Sequence, residues 1–333
     1  MAGQVAVMNA GGWGTALAVL LGKGGHEVRL WCRRRELAEE IERTHENAAY
    51  LPGVTVPPQV RATAALDEAV LGARAVVLVP ISRALRDTAR LLSPCLPDGV
   101  PVLHATKGLE LGTLLRLSEV LVEELRTDRV AVLSGPTHAE EVGLGMPTAA
   151  VIASADPDVA ATFQDLLHGP TFRAYTSADM VGVELCAALK NVIALATGAS
   201  DGLGYGDNAR AALISRSLVE IGRLVQAAGG DARTVAGLAG LGDVVATCTS
   251  QHSRNRWAGE QLGRGRTVAD ILASTPKVIE GIPATAAAME LSRRYGVDLP
   301  VCAQVDQVLN HGALAYEVLA ALMGREAKRE ASS

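Results

Sequence analysis

Residues Gln4–Met8 read QVAVM and run straight into N-A-G-G-W-G from Asn9 to Gly14, followed by an apolar stretch to Leu21 that stops at Gly24 and Gly25. A short buried strand, a glycine turn and a helix in immediate succession are the opening of a parallel βαβ unit. The turn has the spacing of the dinucleotide-binding G-x-G-x-x-G, with Asn9 in the place of the first glycine. Gly11 would let a pyrophosphate approach the backbone, and Gly14 would let helix and strand pack closely. The free N–H groups at the helix N-terminus would hold the phosphates. Asn is among the few residues other than glycine that tolerate a left-handed backbone, so Asn9 is compatible with the turn.

A second strand, Glu27–Trp31 (EVRLW), arrives where a βαβ unit requires it. Its end should carry the group that reads the adenosine ribose. An acid there would bind a free 2′-hydroxyl, but the chain supplies Arg33, Arg34 and Arg35, which suit a 2′-phosphate. This favours NADP(H), with NAD(H) possible; a solvated basic turn opening the next helix is the competing reading. Further strands are expected at Ala75–Pro80, Val100–Thr106, Val130–Ser134, Ala149–Ala153 and Phe172–Tyr175, with helices around Ala84–Leu92 and Leu114–Leu125. Their alternation predicts a parallel sheet covered on both faces. Two strands run into the loops Ala105–Gly108 and Ser134–Ala139. Ligands of such sheets gather beyond the carboxyl ends of the strands, so Lys107 and Thr137 would face one crevice, unless they are ordinary loop residues.

From about Val181 no strand is evident. Helices are expected at Val181–Thr197, Asn208–Ala228, Ala232–Leu238, Trp257–Leu262, Val268–Ala273, Ala284–Tyr295 and Cys302–His311. The prediction is therefore an α/β Rossmann-type doubly wound sheet over residues 1–180 and an all-α domain over 181–333. At 333 residues with 49% hydrophobic content, the chain is long enough for both. A net charge of -5 gives no field for nucleic acid or an anionic membrane, and 3% aromatics argue against base stacking. Five scattered cysteines without a C-x-x-C pair give no metal or redox centre and fit a reducing compartment. The apolar N-terminus lacks the basic lead of a signal peptide, and no unbroken apolar run of spanning length predicts a membrane segment.

Within the first of these helices, Lys190 and Asn191 interrupt a run that is apolar on nearly every face. Glu184 lies six positions away, outside the i±3 and i±4 reach of a helical ion pair. Either the Lys190 ammonium reaches water along its own stem, or a distant group meets it. The segment Gly237–Arg256 (GLAGLGDVVATCTSQHSRNR) reads as a polar loop with Asp243, Thr247, Ser253, Arg254 and Asn255. It could hold a phosphate monoester, or be a capped connection between helices. Asp243 could be the partner that Lys190 needs.

Taken together, NAGGWGTALA, HATKGLE, SGPTHAEEV, LKNVIALATGASDGLGYGDNARAALISR, GLAGLGDVVATCTSQHSRNR and VIEG closely resemble the NAD(P)-dependent glycerol-3-phosphate dehydrogenases of bacterial type, from Val5 to about Gly324. The resemblance implies a cytoplasmic, commonly dimeric enzyme that interconverts dihydroxyacetone phosphate and sn-glycerol 3-phosphate, the latter feeding glycerophospholipid synthesis. By matched motifs it implies Lys190 as proton donor and acceptor, with Lys107 and Asp243 assisting. Lys107, Gly135, Thr137, Lys190, Asp243, Ser253, Arg254 and Asn255 are the implied substrate contacts, and Asn191, next to Lys190, is expected beside the substrate hydroxyls. Asn9, Gly11, Gly12, Trp13, Gly14, Arg33, Arg34, Lys107, Ala139, Arg254, Val278 and Glu280 are the expected cofactor contacts. No metal is implied. The family turn is usually G-A-G-S-W-G, so Asn9 and Gly12 are departures; Gly12 loses a hydroxyl but keeps its N–H. A reductase of another small oxo acid would share the turn and the lysine without a phosphate loop, and a non-catalytic NADPH sensor would not need Lys190 beside Asp243.

Overall fold

A computed structural model describes residues 3–275, 278–324 and 326. The outermost residues of the predicted domain ranges, 1–2, 325 and 327–333, lie outside the described residues. The strands are β1 (Gln4–Met8), β2 (Val28–Trp31), β3 (Glu46–Asn47), β4 (Leu51–Thr55), β5 (Val60–Thr63), β6 (Ala73–Leu78), β7 (Val102–His104), β8 (Val130–Ser134), β9 (Thr148–Ala153) and β10 (Phe172–Ser177). Eight of them form one sheet in the order β5-β2-β1-β6-β7-β8-β9-β10, and β3 and β4 make a separate antiparallel pair. With that pair set aside, the first six strands of the sheet follow the 3-2-1-4-5-6 order of dinucleotide-binding folds, and the order reverses between β1 and β6. Val5 and Val7 of β1 enter one hydrophobic core while Ala6 and Met8 enter another, so the sheet is buried on both faces.

Two features depart from the sequence reading. The edge strand β5 and the β3–β4 pair were not expected: VRAT is four residues long and follows Pro57 and Pro58. The sheet is also not wholly parallel, because β9 runs antiparallel to β8, and β10 is parallel to β9. The helix between β8 and β9, Ala139–Leu144, has six residues, a rise of about 9 Å. That is too little to return the chain to the start of β8, so β9 runs back instead.

The chain divides into two compact units, Met1–Met180 and Val181–Ser333. The second contains the helices Met180–Gly202, Asp207–Ala227, Asp243–Thr249, Arg254–Gly263, Val268–Ala273, Gly281–Tyr295, Pro300–Asn310 and Ala315–Met323. Met180–Gly202 is long and apolar enough to cross a membrane, but 89% of its most apolar window is buried inside the protein. Its apolar faces are those of a core helix, as its sequence predicts. Where this helix crosses Arg254–Gly263 there is no room for a side chain. A Cβ on Gly198 would stand 2.0 Å from the Arg256 carbonyl oxygen, and one on Gly259 would stand 2.1 Å from that of Leu195. The expected polar loop Gly237–Arg256 is mostly helical: a wide turn, Leu238–Gly242, runs into Asp243–Thr249, and the next helix starts at Arg254. Its glycines had concealed the helical period. The predicted helix Ala232–Leu238 is a tighter 3₁₀ turn, Ala232–Ala236, and Ala315–Met323 was not foreseen.

Candidate functional site

The turn after β1 is built on Asn9, which adopts the left-handed conformation at φ 81°. The N–H groups of Asn9 and Ala10 both donate to the Trp31 carbonyl at 3.2 Å, tying the turn to the end of β2. A Cβ on Gly14 would lie 2.0 Å from the Asn9 carbonyl oxygen, so only glycine fits there. Gly11 precedes the helix Gly12–Lys23 and gives it no side-chain cap, and a Cβ on Gly11 would meet nothing within 4 Å. Space is open at Gly11, while a Cβ on Gly12 would stand 2.8 Å from the Tyr50 carbonyl oxygen; an uncapped helix N-terminus is an arrangement suited to an anion. Trp13 and Ala139 pack half-buried against the same core, and Ala139 lies close to the turn, its Cβ 3.9 Å from a Cβ built on Gly12. Arg33 and Arg34 follow β2, are exposed, and enter no ion pair among the described residues. A dinucleotide with a 2′-phosphate fits these groups.

Lys107 follows β7, on a loop held by Thr106, whose hydroxyl donates to the Pro80 carbonyl at 2.6 Å. Its Nζ donates to the Gly135 carbonyl at 2.9 Å and approaches Thr137 Oγ1 at 3.4 Å. Thr137 in turn donates to the Gly135 carbonyl at 3.1 Å. The loops after β7 and β8 therefore bring Lys107, Gly135 and Thr137 together, as their placement beyond the strand ends requires.

In the second unit Lys190 is 6% exposed and does not reach water along its stem. Its Nζ donates to Asp243 Oδ1 at 2.5 Å and to Thr247 Oγ1 at 2.8 Å. Asp243 is 1% exposed. Thr247 sits one helical turn beyond Asp243 and donates to its carbonyl at 2.7 Å, so one helix face presents both groups to the ammonium. Thr247 was not among the predicted site residues. The signal was its i+4 spacing from Asp243, hidden once the segment was read as a loop.

Asn191 and Asn255 are joined by Asn255 Nδ2 donating to Asn191 Oδ1 at 2.8 Å, and Asn255 Oδ1 accepts from the Gly281 N–H at 2.9 Å. The Asn255 amide is thus engaged within the protein, which differs from a side chain held ready for phosphate alone. Ser253 caps the helix Arg254–Gly263, its hydroxyl accepting from the Arg256 N–H at 3.2 Å. Arg254 is exposed at the first position of that helix. Arg256 and Arg210 both bind Asp201, at 2.8 and 2.6 Å. Val278 and Glu280 lie half-buried just before the helix Gly281–Tyr295. Among the described residues no cluster of His, Cys, Asp or Glu could hold a metal ion.

The family models for the N-terminal and C-terminal parts of NAD-dependent glycerol-3-phosphate dehydrogenase match residues 4–160 and 179–320. The chain is 53% identical to glycerol-3-phosphate dehydrogenase [NAD(P)+] of Moorella thermoacetica, over 99% of this chain and 98% of that one. It is 45% identical to that of Shouchella clausii over 99% and 98%. The crystal structure of glycerol-3-phosphate dehydrogenase from Coxiella burnetii superposes with a TM-score of 0.91 at 38% identity, covering 97% of this chain and 99% of that one. With both halves matched in order and relatives aligned over nearly its whole length, the chain belongs to the NAD-dependent glycerol-3-phosphate dehydrogenase family.

Proposed function

We propose that Lys190 is the proton donor and acceptor in the interconversion of dihydroxyacetone phosphate and sn-glycerol 3-phosphate. The chain is an NAD(P)-dependent glycerol-3-phosphate dehydrogenase, an oxidoreductase of lipid metabolism whose product supplies glycerophospholipid synthesis. The observation that carries the assignment of Lys190 is its burial against Asp243 and Thr247. A bare buried ammonium would be expelled or neutralised, and a carboxylate and a hydroxyl hold it in place.

A bound reduced nicotinamide supplies the hydride that reaches the carbonyl carbon. Lys190 gives its proton to the alkoxide oxygen as it forms, and in the reverse direction the neutral amine accepts it. Asp243 and Thr247 fix the direction of the Nζ. Lys107, positioned by Gly135 and Thr137, supports the developing negative charge. Arg254 and the N-terminus of its helix hold the phosphate, with Ser253 and Asn255 beside it, and that remote binding aligns the carbonyl. Asn9, Gly11, Gly12, Trp13, Gly14, Ala139, Val278 and Glu280 are assigned to the cofactor. Arg33 and Arg34 would take a 2′-phosphate, favouring NADPH over NADH. The family resemblance supports a homodimer working in the cytoplasm.

The test is spectrophotometric: purified protein, dihydroxyacetone phosphate, and NADPH or NADH in parallel. Oxidation of both with NADPH preferred is expected, and no oxidation of either would overturn the reading. Arg33→Asp should erase the preference for NADPH; an unchanged ratio would remove the 2′-phosphate argument.

A further inference from the structure

Where the core helix Met180–Gly202 meets Arg254–Gly263, each helix contributes two glycines four positions apart: Gly198 and Gly202 on the first, Gly259 and Gly263 on the second. A Cβ on any of the four would stand between 2.0 and 2.3 Å from a carbonyl oxygen of the other helix. Such a contact brings two backbones close, but it has no side-chain ridges to lock into grooves. It fixes the separation of the helices better than their slide along one another.

A charged contact at the same crossing supplies what the glycines lack. Asp201 lies eleven residues beyond Lys190 on the core helix, about three turns and about 16 Å along the same face. A carboxylate in the last turn of a helix opposes the helix dipole, so Asp201 does not serve its own helix. Its side chain is 8% exposed, and each oxygen takes one guanidinium. Oδ2 accepts from Arg256 Nε at 2.9 Å and Nη2 at 2.8 Å, and Oδ1 accepts from Arg210 Nη2 at 2.6 Å. Arg210 belongs to a third helix, Asp207–Ala227. Ion pairs drawn out of water add little net stability, and their best-attested use is to select one register.

The register selected here is that of the first turn of Arg254–Gly263. Arg256 is held twice: its backbone N–H by the Ser253 hydroxyl at 3.2 Å, and its guanidinium by Asp201. Arg254 and Asn255 stand between Ser253 and Arg256. We infer that Asp201 is a positioning residue, which through Arg256 sets the distance between this turn and Lys190, and so the span between the substrate's phosphate and the carbonyl being reduced. This rests on the functional reading above, in which Lys190 serves the carbonyl and Arg254 with its helix N-terminus the phosphate. A slide of about 1 Å is enough to lose that alignment.

The test compares Asp201→Asn, Arg256→Lys and Arg210→Gln in the full chain at saturating NADPH, with a melting temperature for each sample. Asp201→Asn puts an N–H donor against a guanidinium, and should lower kcat/KM for dihydroxyacetone phosphate about tenfold or more. Inorganic phosphate, a competitor that occupies only one end of the span, should keep its inhibition constant within about twofold. Arg256→Lys keeps the charge without the planar fork and should lose about threefold in kcat/KM. Arg210→Gln leaves the Arg256 bond in place and should stay within about twofold. If Asp201→Asn melts earlier with kcat/KM unchanged, Asp201 is a brace only and the proposal is overturned. Equal losses in Arg256→Lys and Arg210→Gln, or a phosphate inhibition constant that weakens in step with kcat/KM, overturn it as well. Should Asp201→Asn not fold, Arg256→Lys decides, and an unchanged kcat/KM there counts against the proposal. Arg254→Ala separates the two readings: an unchanged KM for dihydroxyacetone phosphate sinks the phosphate assignment itself. A raised KM there, with Asp201→Asn at parent kcat/KM, sinks the positioning role alone.

Discussion

The two units assemble their polar groups in opposite ways. In the first, the candidate residues sit on connections leaving the carboxyl ends of strands: Asn9–Gly14 after β1, Arg33 and Arg34 after β2, Lys107 after β7, Gly135–Ala139 after β8. The sheet beneath is apolar on both faces, Ala10, Trp13 and Ala139 pack with its core, and Arg33, Arg34, Lys107 and Thr137 stay outside it. In the second, Lys190, Asn191, Asp243, Thr247 and Asn255 are themselves buried among helices. Function and stability are therefore separable in the first unit, whereas in the second they rest on the same atoms.

The sharpest way to break this comparison is to truncate one lysine from each unit. Lys190→Ala should lower kcat by about two decades or more. It should also destabilise the protein by about 3–5 kcal/mol, because Asp243 stays buried and loses its ammonium partner. Lys107 is only half-buried and donates to a carbonyl and a hydroxyl on loops. Lys107→Ala should lower kcat/KM with a stability change of about 1 kcal/mol. Steady-state kinetics with thermal melts on the same samples decide it, and equal losses of stability would abolish the distinction.

Glycines offer a second pair. Gly259→Ala drives a methyl into the Leu195 carbonyl, where the gap is 2.1 Å, and should destabilise by about 3 kcal/mol. Gly11→Ala meets nothing within 4 Å and should change stability by less than about 1 kcal/mol. Its effect should fall on NADPH binding, since the new methyl stands where the pyrophosphate approaches. A Gly11→Ala variant that melts early with normal NADPH affinity would contradict the open space above that helix.

The same contrast explains what could be read from the sequence. The β1–turn–helix was legible because its glycine spacing is local, and Lys190 was conspicuous as a charge in an apolar run. The Thr247 contact, 57 residues from Lys190, and the Asn191–Asn255 bond, across 64 residues, exist only once helices pack. Reading 237–256 as a loop removed the i, i+4 relation that would have singled out Thr247. The direction of β9 was not encoded in its own residues, but in the shortness of the helix before it.

Titration separates the units further. Glu220 of the second unit is 2% exposed; its Oε1 accepts from the Val301 N–H at 2.8 Å, and its Oε2 has no partner. Burial pushes its carboxyl up to about 7. The native state then holds a proton that the unfolded chain releases, so this contribution is complete below about pH 4.5 and is lost as pH rises to about 7. From the size of the shift the loss is about 3 kcal/mol. Glu110 of the first unit is shifted down, chiefly by its hydrogen bond to Arg86, so its contribution is lost as pH falls below the ordinary carboxylate range. Glu220→Gln should flatten the fall in melting temperature between pH 5 and 8, and an unaltered slope would assign that fall to other groups.

At Asn9 stability and binding should move in opposite directions. Its left-handed backbone carries a modest strain for a residue with a Cβ, and its Oδ1 is buried without a partner. Asn9→Gly removes both, against a loss of about 0.5–1 kcal/mol from the greater freedom of glycine in the unfolded chain. A net gain of about 1 kcal/mol is expected. Were Asn9 only a strained substitute for glycine, the variant would be more stable and bind NADPH as before. As a cofactor contact, its amide binds a ribose hydroxyl or phosphate oxygen, so NADPH affinity should fall while kcat at saturating cofactor is unchanged. A fall in kcat at saturation would mean that the turn reaches the proton-transfer step, and the first unit would no longer be the one in which single residues act alone.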